Sequence, residues 1–260
     1  MPRGTRPGYF GAMLKINQPV PRDAIRLILF DLDGTLVDSR LDLANSVNGM
    51  LRQFGRPELP LEVIASYVGD GAPMLVRRAL GDPEDEIFLQ EALDFFLAYY
   101  REHKLDTTVV YPGIVDALRA MRSPANGAGL ERRMAVLSNK PVNPSRAIVE
   151  ALGLGEFFVQ VYGGNSFPTK KPDPLGALTL ARENGVEPGQ ALIVGDSGID
   201  VLTARNAGMW SCGVSYGFAP HSLEQAPPDI MVDAPHELPL VFEYQPPEPD
   251  ESADIPGVPV

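Results

Sequence analysis

The feature that most constrains this chain is a short apolar run, Arg26-Leu27-Ile28-Leu29-Phe30, which stops at Asp31-Leu32-Asp33-Gly34-Thr35. A continuous apolar stretch of this length, closed by a glycine turn, reads as a buried strand. The pattern recurs along the chain. Residues 134–137 end at Ser138-Asn139-Lys140-Pro141, and residues 191–194 end at Gly195-Asp196-Ser197. Residues 159–162, before Gly163-Gly164, and residues 209–214 are weaker strands of the same kind. Between these runs, residues 114–121, 144–152, 174–184 and 199–207 carry helical spacing. Strands alternating with helices of about 8–12 residues predict right-handed βαβ units, hence an α/β fold around a mostly parallel sheet. In such sheets ligands bind outside the carboxyl ends of the strands. Each polar cluster follows its strand, so the clusters are expected to meet there.

Residues 38–105 break the alternation. Leu41, Leu43, Val47, Met50, Leu51 and Phe54, then Ile87, Leu89, Leu93, Phe96, Leu97 and Tyr100, fall on helical faces with no strand between them. This predicts a helical insertion over 38–105 within a core made of 23–37 and 106–242. Gly81-Asp82-Pro83 separates two of its helices, and residues 123–129 (SPANGAG) read as a surface loop. The first 22 residues are expected to form a flexible tail. The last stretch, 243–260 (EYQPPEPDESADIPGVPV), is acidic, Pro-rich and poor in large apolar groups, which predicts disorder.

Charge and composition exclude several functions. A formal net charge of −12 argues against generic binding to nucleic acid or to anionic membranes. No apolar run approaches the roughly 20 residues that span a bilayer. The N-terminus has two early arginines but no sustained apolar segment, which predicts no signal peptide and a cytoplasmic location. The single cysteine, Cys212, excludes an internal disulfide and a cysteine-rich zinc site, and reads as a small apolar residue on a buried strand. His103, His221 and His236 lie outside the polar clusters, and none is at metal-ligand spacing with another.

The chemistry rests on the acids. Asp31 and Asp33 are separated by one residue, so in extended backbone both point to one side, and Gly34 lets the chain turn tightly after them. Two close carboxylates repel, and a nearby cation is the simplest way to keep both charged. A solvated Asp-x-Asp-Gly turn accounts for the pair equally well. Asp196 and Asp200 have a similar alternative, as a loop acid and an acid at a helix start.

The longer string narrows the choice. FDLDGTLVDS at 30–39 resembles the signature of the haloacid dehalogenase superfamily. The other three motifs of that family follow in order: Ser138 after the second strand, Lys171 in Lys-Pro-Asp-Pro, and Gly195-Asp196-Ser197-Gly198-Ile199-Asp200 after the later strand. The resemblance spans residues 25–215. It implies a doubly wound, Rossmann-like core with a small helical cap inserted after the first strand.

It also implies Mg²⁺-dependent phosphoryl transfer through an aspartyl phosphate. In that pattern Asp31 is the nucleophile and Asp33 the general acid and base. The family's phosphatases and phosphomutases carry this second aspartate, and its dehalogenases lack it. Asp31, Asp196 and the backbone carbonyl of Asp33 would hold Mg²⁺, with Asp200 a ligand directly or through water. Lys171, the lysine directly before proline, would be chosen over Lys170 to face the phosphoryl group. The Ser138 hydroxyl and the N–H groups of Leu32 and Asn139 would bind its oxygens. Physical need agrees, because a phosphate dianion repels an attacking carboxylate until its charge is offset.

Substrate choice is expected in the cap. Gly69, Asp70 and Gly71 lie in a loop between two short helices, and Arg77 and Arg78 follow on the next one. This stretch, with Ser138-Asn139-Lys140-Pro141 and Tyr111-Pro112-Gly113, resembles the phosphoglycolate phosphatases. A small phosphorylated metabolite, 2-phosphoglycolate first, is the expected partner. Alternatives are a pyrophosphatase, a sugar-phosphate or nucleotide phosphatase, a β-phosphoglucomutase-like phosphomutase, and a non-catalytic binding module on the same fold. Gly69-Asp70-Gly71-Ala72 lacks the Gly-x-Ser-Arg stretch of the mutases. The sequence favours neither a monomer nor a homodimer.

Overall fold

The computed structural model of the chain describes residues 14–122 and 131–243. The loop read at 123–129 and the ends of both tails lie outside the described residues. Nine strands are present among the described residues: β1 (Lys15–Ile16), β2 (Leu27–Phe30), β3 (Val37–Asp38), β4 (Val109–Val110), β5 (Arg133–Leu137), β6 (Gln160–Tyr162), β7 (Ala191–Gly195), β8 (Trp210–Val214) and β9 (Ile230–Val232). Seven of them form one sheet in the order β1-β9-β8-β7-β2-β5-β6. All pairs in it are parallel except β1 with β9.

Strand β2 is central because it is apolar on both faces and can be covered on both. Ile28 and Phe30 point to one side, where they meet Ile114, Leu118 and Met121 of α5 (Ile114–Arg122) and Ile148 of α6 (Val142–Ala151). Leu27 and Leu29 point to the other, against Ala177 and Leu180 of α7 (Leu175–Glu183) and Ala204 of α8 (Gly198–Ala207). The chain leaves β2 for β5 and β6 on one side, then crosses back to β7, β8 and β9 on the other. The strand order therefore reverses at β2, and a crevice opens at the carboxyl ends of β2, β5 and β7. Phe30 pairs with Val136 and with Val194, so the clusters that follow the three strands emerge at one level.

The cap holds α1 (Arg40–Gln53), α2 (Leu61–Ser66), α3 (Ala72–Ala79) and α4 (Glu86–His103), with its own core that includes Leu43, Val47, Met50, Leu75 and Phe96. It joins the rest through the antiparallel ribbon of β3 and β4. Asp42, at the start of α1, clasps the return segment. Its carboxylate accepts the N–H and hydroxyl groups of both Thr107 and Thr108 at 2.5–3.0 Å. Burial opposes that charge, but the hydrogen bonds prevail and hold the Asp42 carboxyl below the usual range.

Part of the segment expected as a flexible tail over residues 1–22 is built into the fold. Lys15–Ile16 pairs antiparallel with Ile230 and Met231, and Leu14, Ile16 and Val20 pack on the core. Two residues of strand are too short to leave a pattern of their own. No helix among the described residues is long and apolar enough to cross a membrane.

Candidate active site

Asp31 is the first residue beyond β2, and its N–H donates to Val194 O of β7 at 2.9 Å. The chain then turns, with the Leu36 N–H on Leu32 O and the Gly34 N–H on Val37 O, both 2.9 Å. Gly34 has φ +84°, and a Cβ built there would lie 2.2 Å from Asp196 Oδ2. The turn is thus pressed against Asp196, which follows β7. A Cβ at Gly217 would meet Asp196 as closely, and the Phe218 N–H donates to its Oδ2 at 2.6 Å.

Lys171 reaches the same point from the loop between β6 and α7. Its Nζ is 3.0 Å from Asp31 Oδ1 and 2.6 Å from Asp200 Oδ1. Burial works against this ammonium, but Asp200 and Asp31 outweigh it and hold Lys171 above the usual lysine range. Asp200 sits in the first turn of α8, where its Oδ2 accepts from Ser197 Oγ at 2.7 Å, so both its oxygens are engaged. Ser138 follows β5 and is buried; its Oγ accepts the Lys140 N–H at 3.3 Å.

Oxygens of Asp31, Asp196 and Asp200 all lie within 4.8 Å of one another. Burial, then Asp200 and Asp31, push the Asp196 carboxyl up to about 8. One ammonium does not balance three desolvated carboxylates. Two glycines hold Asp196 in place, and the donor set is all oxygen, so these residues fit a hard divalent cation.

Asp33 faces the cap. Its carboxylate accepts from Ser39 Oγ at 2.5 Å and from Lys140 Nζ at 2.9 Å on each oxygen. Lys140 also donates to the hydroxyl of Tyr100, on α4, at 2.5 Å. Below the cap lies a cavity of about 60 Å³, with Asp31, Asp33, Ser138 and Asn139 on the core side and Leu43, Leu75 and Phe96 on the cap side.

Of the cap residues expected to set specificity, Gly69 and Gly71 line the cavity. Asn139 Nδ2 donates to Gly69 O at 2.9 Å and to Lys171 O at 3.0 Å, tying the cap loop to the lysine's backbone. A Cβ at Gly71 would sit 3.0 Å from Asn139 O, so glycine permits this seating. Asp70, Arg77 and Arg78 do not line the cavity. Arg78 is bound to Asp70 at 2.5 Å, and Lys170 donates to Asp70 O. Arg77 pairs with Glu86 at 2.6 Å and Asp82 at 3.2 Å. Acids of the cap itself hold both arginines away from the position expected of a cationic wall.

A sequence model of the family described as Haloacid dehalogenase-like hydrolase matches residues 28–214. This chain belongs to that family. A phosphoglycolate phosphatase of Pseudomonas putida is 40% identical over 228 residues, which cover 85% of this chain and 81% of the relative. One from Chromobacterium violaceum is 39% identical over 218 residues, 82% of this chain and 95% of the relative. Among solved structures, a predicted phosphoglycolate phosphatase from Haemophilus somnus has a TM-score of 0.75 at 32% identity, covering 83% of this chain and 96% of that one. A haloacid dehalogenase-like hydrolase this close to phosphatases is a phosphoric monoester hydrolase.

Within this haloacid dehalogenase-like site, sequence reasoning assigned nothing to Lys140, Tyr100 or Ser39, the groups that surround Asp33. Lys140 stands in the polar cluster after β5, which was a usable signal. Tyr100 reads as an ordinary apolar position of an amphipathic helix, and no local pattern marks it.

Proposed function

We propose that this phosphatase hydrolyses a small phosphate monoester, 2-phosphoglycolate, with Mg²⁺ and through a phosphoaspartyl group on Asp31. The observation that carries the reading is the arrangement of Asp31 and Asp33 on the floor of one capped cavity, with Lys171 3.0 Å from Asp31. The substrate is supported by the similarity to phosphoglycolate phosphatases over most of their length.

In the first step an Asp31 oxygen bonds to phosphorus while the ester P–O bond breaks, and the protonated Asp33 carboxyl gives its proton to the departing oxygen. In the second, the Asp33 carboxylate takes a proton from water as that water attacks phosphorus, which frees Asp31 and releases phosphate. Lys171, the Ser138 hydroxyl and the N–H groups of Leu32 and Asn139 bind the phosphoryl oxygens. Mg²⁺, held by Asp31, Asp196 and the Asp33 carbonyl, would offset the negative charge of the phosphoryl group. Asp200, with its oxygens on Lys171 and Ser197, orients Lys171 and supports the ion indirectly.

The test is a comparison of kcat/KM in Mg²⁺ for 2-phosphoglycolate, pyrophosphate, sugar phosphates and mononucleotides. A preference for 2-phosphoglycolate of at least about tenfold, or 1.4 kcal/mol, is expected. A larger value for any other class overturns the substrate assignment.

A further inference from the structure

Lys140 is buried, and neither step above uses it. An ammonium has three N–H donors, and all three are engaged: on Asp33 Oδ1, on Asp33 Oδ2 and on the Tyr100 hydroxyl. The Tyr100 ring centre also lies 4.5 Å from Nζ. Lys140 borders the cavity beside Asp33, but it has no donor to spare for a substrate. It is arranged to hold Asp33.

The partners come from different bodies of the fold. Asp33 and Lys140 belong to the core, on the loops after β2 and β5. Tyr100 belongs to α4 of the cap, where it is buried and stacks on Phe96 at 5.8 Å. The second group on Asp33, Ser39, is the residue at which the β3 ribbon passes into the first cap helix. The carboxylate is therefore gripped from the hinge on one side. On the other it is gripped by a lysine that a cap phenol holds in place.

We propose that Lys140 is a positioning residue for Asp33 and that Tyr100 makes this positioning depend on a seated cap. The proposal rests on the reading of Asp33 as the group that moves the proton. It has a consequence that a packing role lacks. An alkoxide leaves phosphorus only with a proton, whereas 2,4-dinitrophenolate leaves without one. Without Lys140, Asp33 is misplaced, so cleavage of an alkyl ester slows and that of the dinitrophenyl ester does not. Attack of water on the phosphoaspartyl group, which needs Asp33 as base, slows in both cases.

The experiment compares wild type, Lys140→Met, Tyr100→Phe and Asp33→Asn in Mg²⁺, with 2-phosphoglycolate and with 2,4-dinitrophenyl phosphate under rapid mixing. For Lys140→Met we expect kcat on the alkyl ester to fall by about 10²-fold with KM nearly unchanged. On the aryl ester it should release one dinitrophenolate per enzyme at close to the wild-type rate and then continue slowly. Tyr100→Phe, one oxygen smaller, should lower kcat on the alkyl ester about 3- to 10-fold in the same pattern. If Lys140→Met does not fold, Tyr100→Phe decides alone. Wild-type turnover of the alkyl ester by the variants overturns the proposal. So does an equal loss of the burst and of alkyl-ester turnover, which marks a merely structural role. Asp33→Asn separates the two readings. If it retains alkyl-ester turnover, the role of Asp33 fails; if it loses turnover while the other variants keep theirs, only the positioning role fails.

Discussion

Asp196 fills the space that a side chain at position 34 would occupy: a Cβ on Gly34 would lie 2.2 Å from its Oδ2. Position 34 also has φ +84°, where an L side chain is strained by about 1–2 kcal/mol. Gly34→Ala is therefore expected to act twice. The backbone strain should lower the melting temperature by roughly 2–8 °C. The clash should displace Asp196 and weaken Mg²⁺ binding, which calorimetric titration measures. Unchanged Mg²⁺ affinity in a folded Gly34→Ala protein would show that Asp196 does not hold the ion.

Asp31 and its amide isostere differ in the proposed nucleophile alone. Asp31→Asn keeps the shape and the N–H bond to Val194, but loses the charge that faces Lys171 at 3.0 Å. Turnover should fall to background while the circular dichroism spectrum stays that of wild type. No phosphoenzyme should be trapped by acid quench with labelled substrate. Any retained phosphatase activity above background sinks the assignment of Asp31.

The strand ends were legible because each core strand is a short apolar run that stops at a polar cluster, and parallel register then aligns the stops. Asp31, Ser138 and Asp196 border one cavity for that reason. Contacts made across the cap were not legible. Lys140 and Tyr100 are 40 residues apart and Lys140 and Asp33 are 107, with no periodicity to link them. Arg77 and Arg78 show the converse. Their acidic neighbours were visible in the sequence, but the directions that take Arg77 to Glu86 and Arg78 to Asp70 depend on how α3 packs. Strand β1 was missed because its two residues bond to a partner over 200 positions away.

Asp42 should matter to stability more than to chemistry. Its carboxylate accepts four groups from Thr107 and Thr108 and so closes the base of the cap. Asp42→Ala leaves buried donors unpaired, and an expected loss of about 2–3 kcal/mol should appear in urea unfolding. The folded carboxyl lies below its ordinary value of 3.8, so its contribution is full above that pH and disappears as pH falls through the folded value. The melting curves of wild type and Asp42→Asn should thus differ at neutral pH and converge in acid. A constant difference across the range would remove the carboxylate's charge from the explanation.

Asp196 gives the opposite sign. Without a cation its carboxyl is pushed up to about 8, by burial first and then by Asp200 and Asp31, against 3.8 in an ordinary setting. Between those values the folded protein holds a proton that the unfolded chain has lost, so raising the pH through this window destabilises the fold. A divalent cation held by the ionised cluster would reverse the penalty. In EDTA, wild type should lose stability from about pH 5 to about pH 8 more steeply than Asp196→Asn does. Added Mg²⁺ should raise the wild-type melting temperature more at the higher pH and leave Asp196→Asn almost unmoved. Activity should vanish in EDTA and return with Mg²⁺. Equal Mg²⁺ shifts at both pH values, or in both proteins, would place the ion elsewhere than on Asp196, since an ion held by Asp196 must displace its proton and therefore binds more tightly as the pH rises.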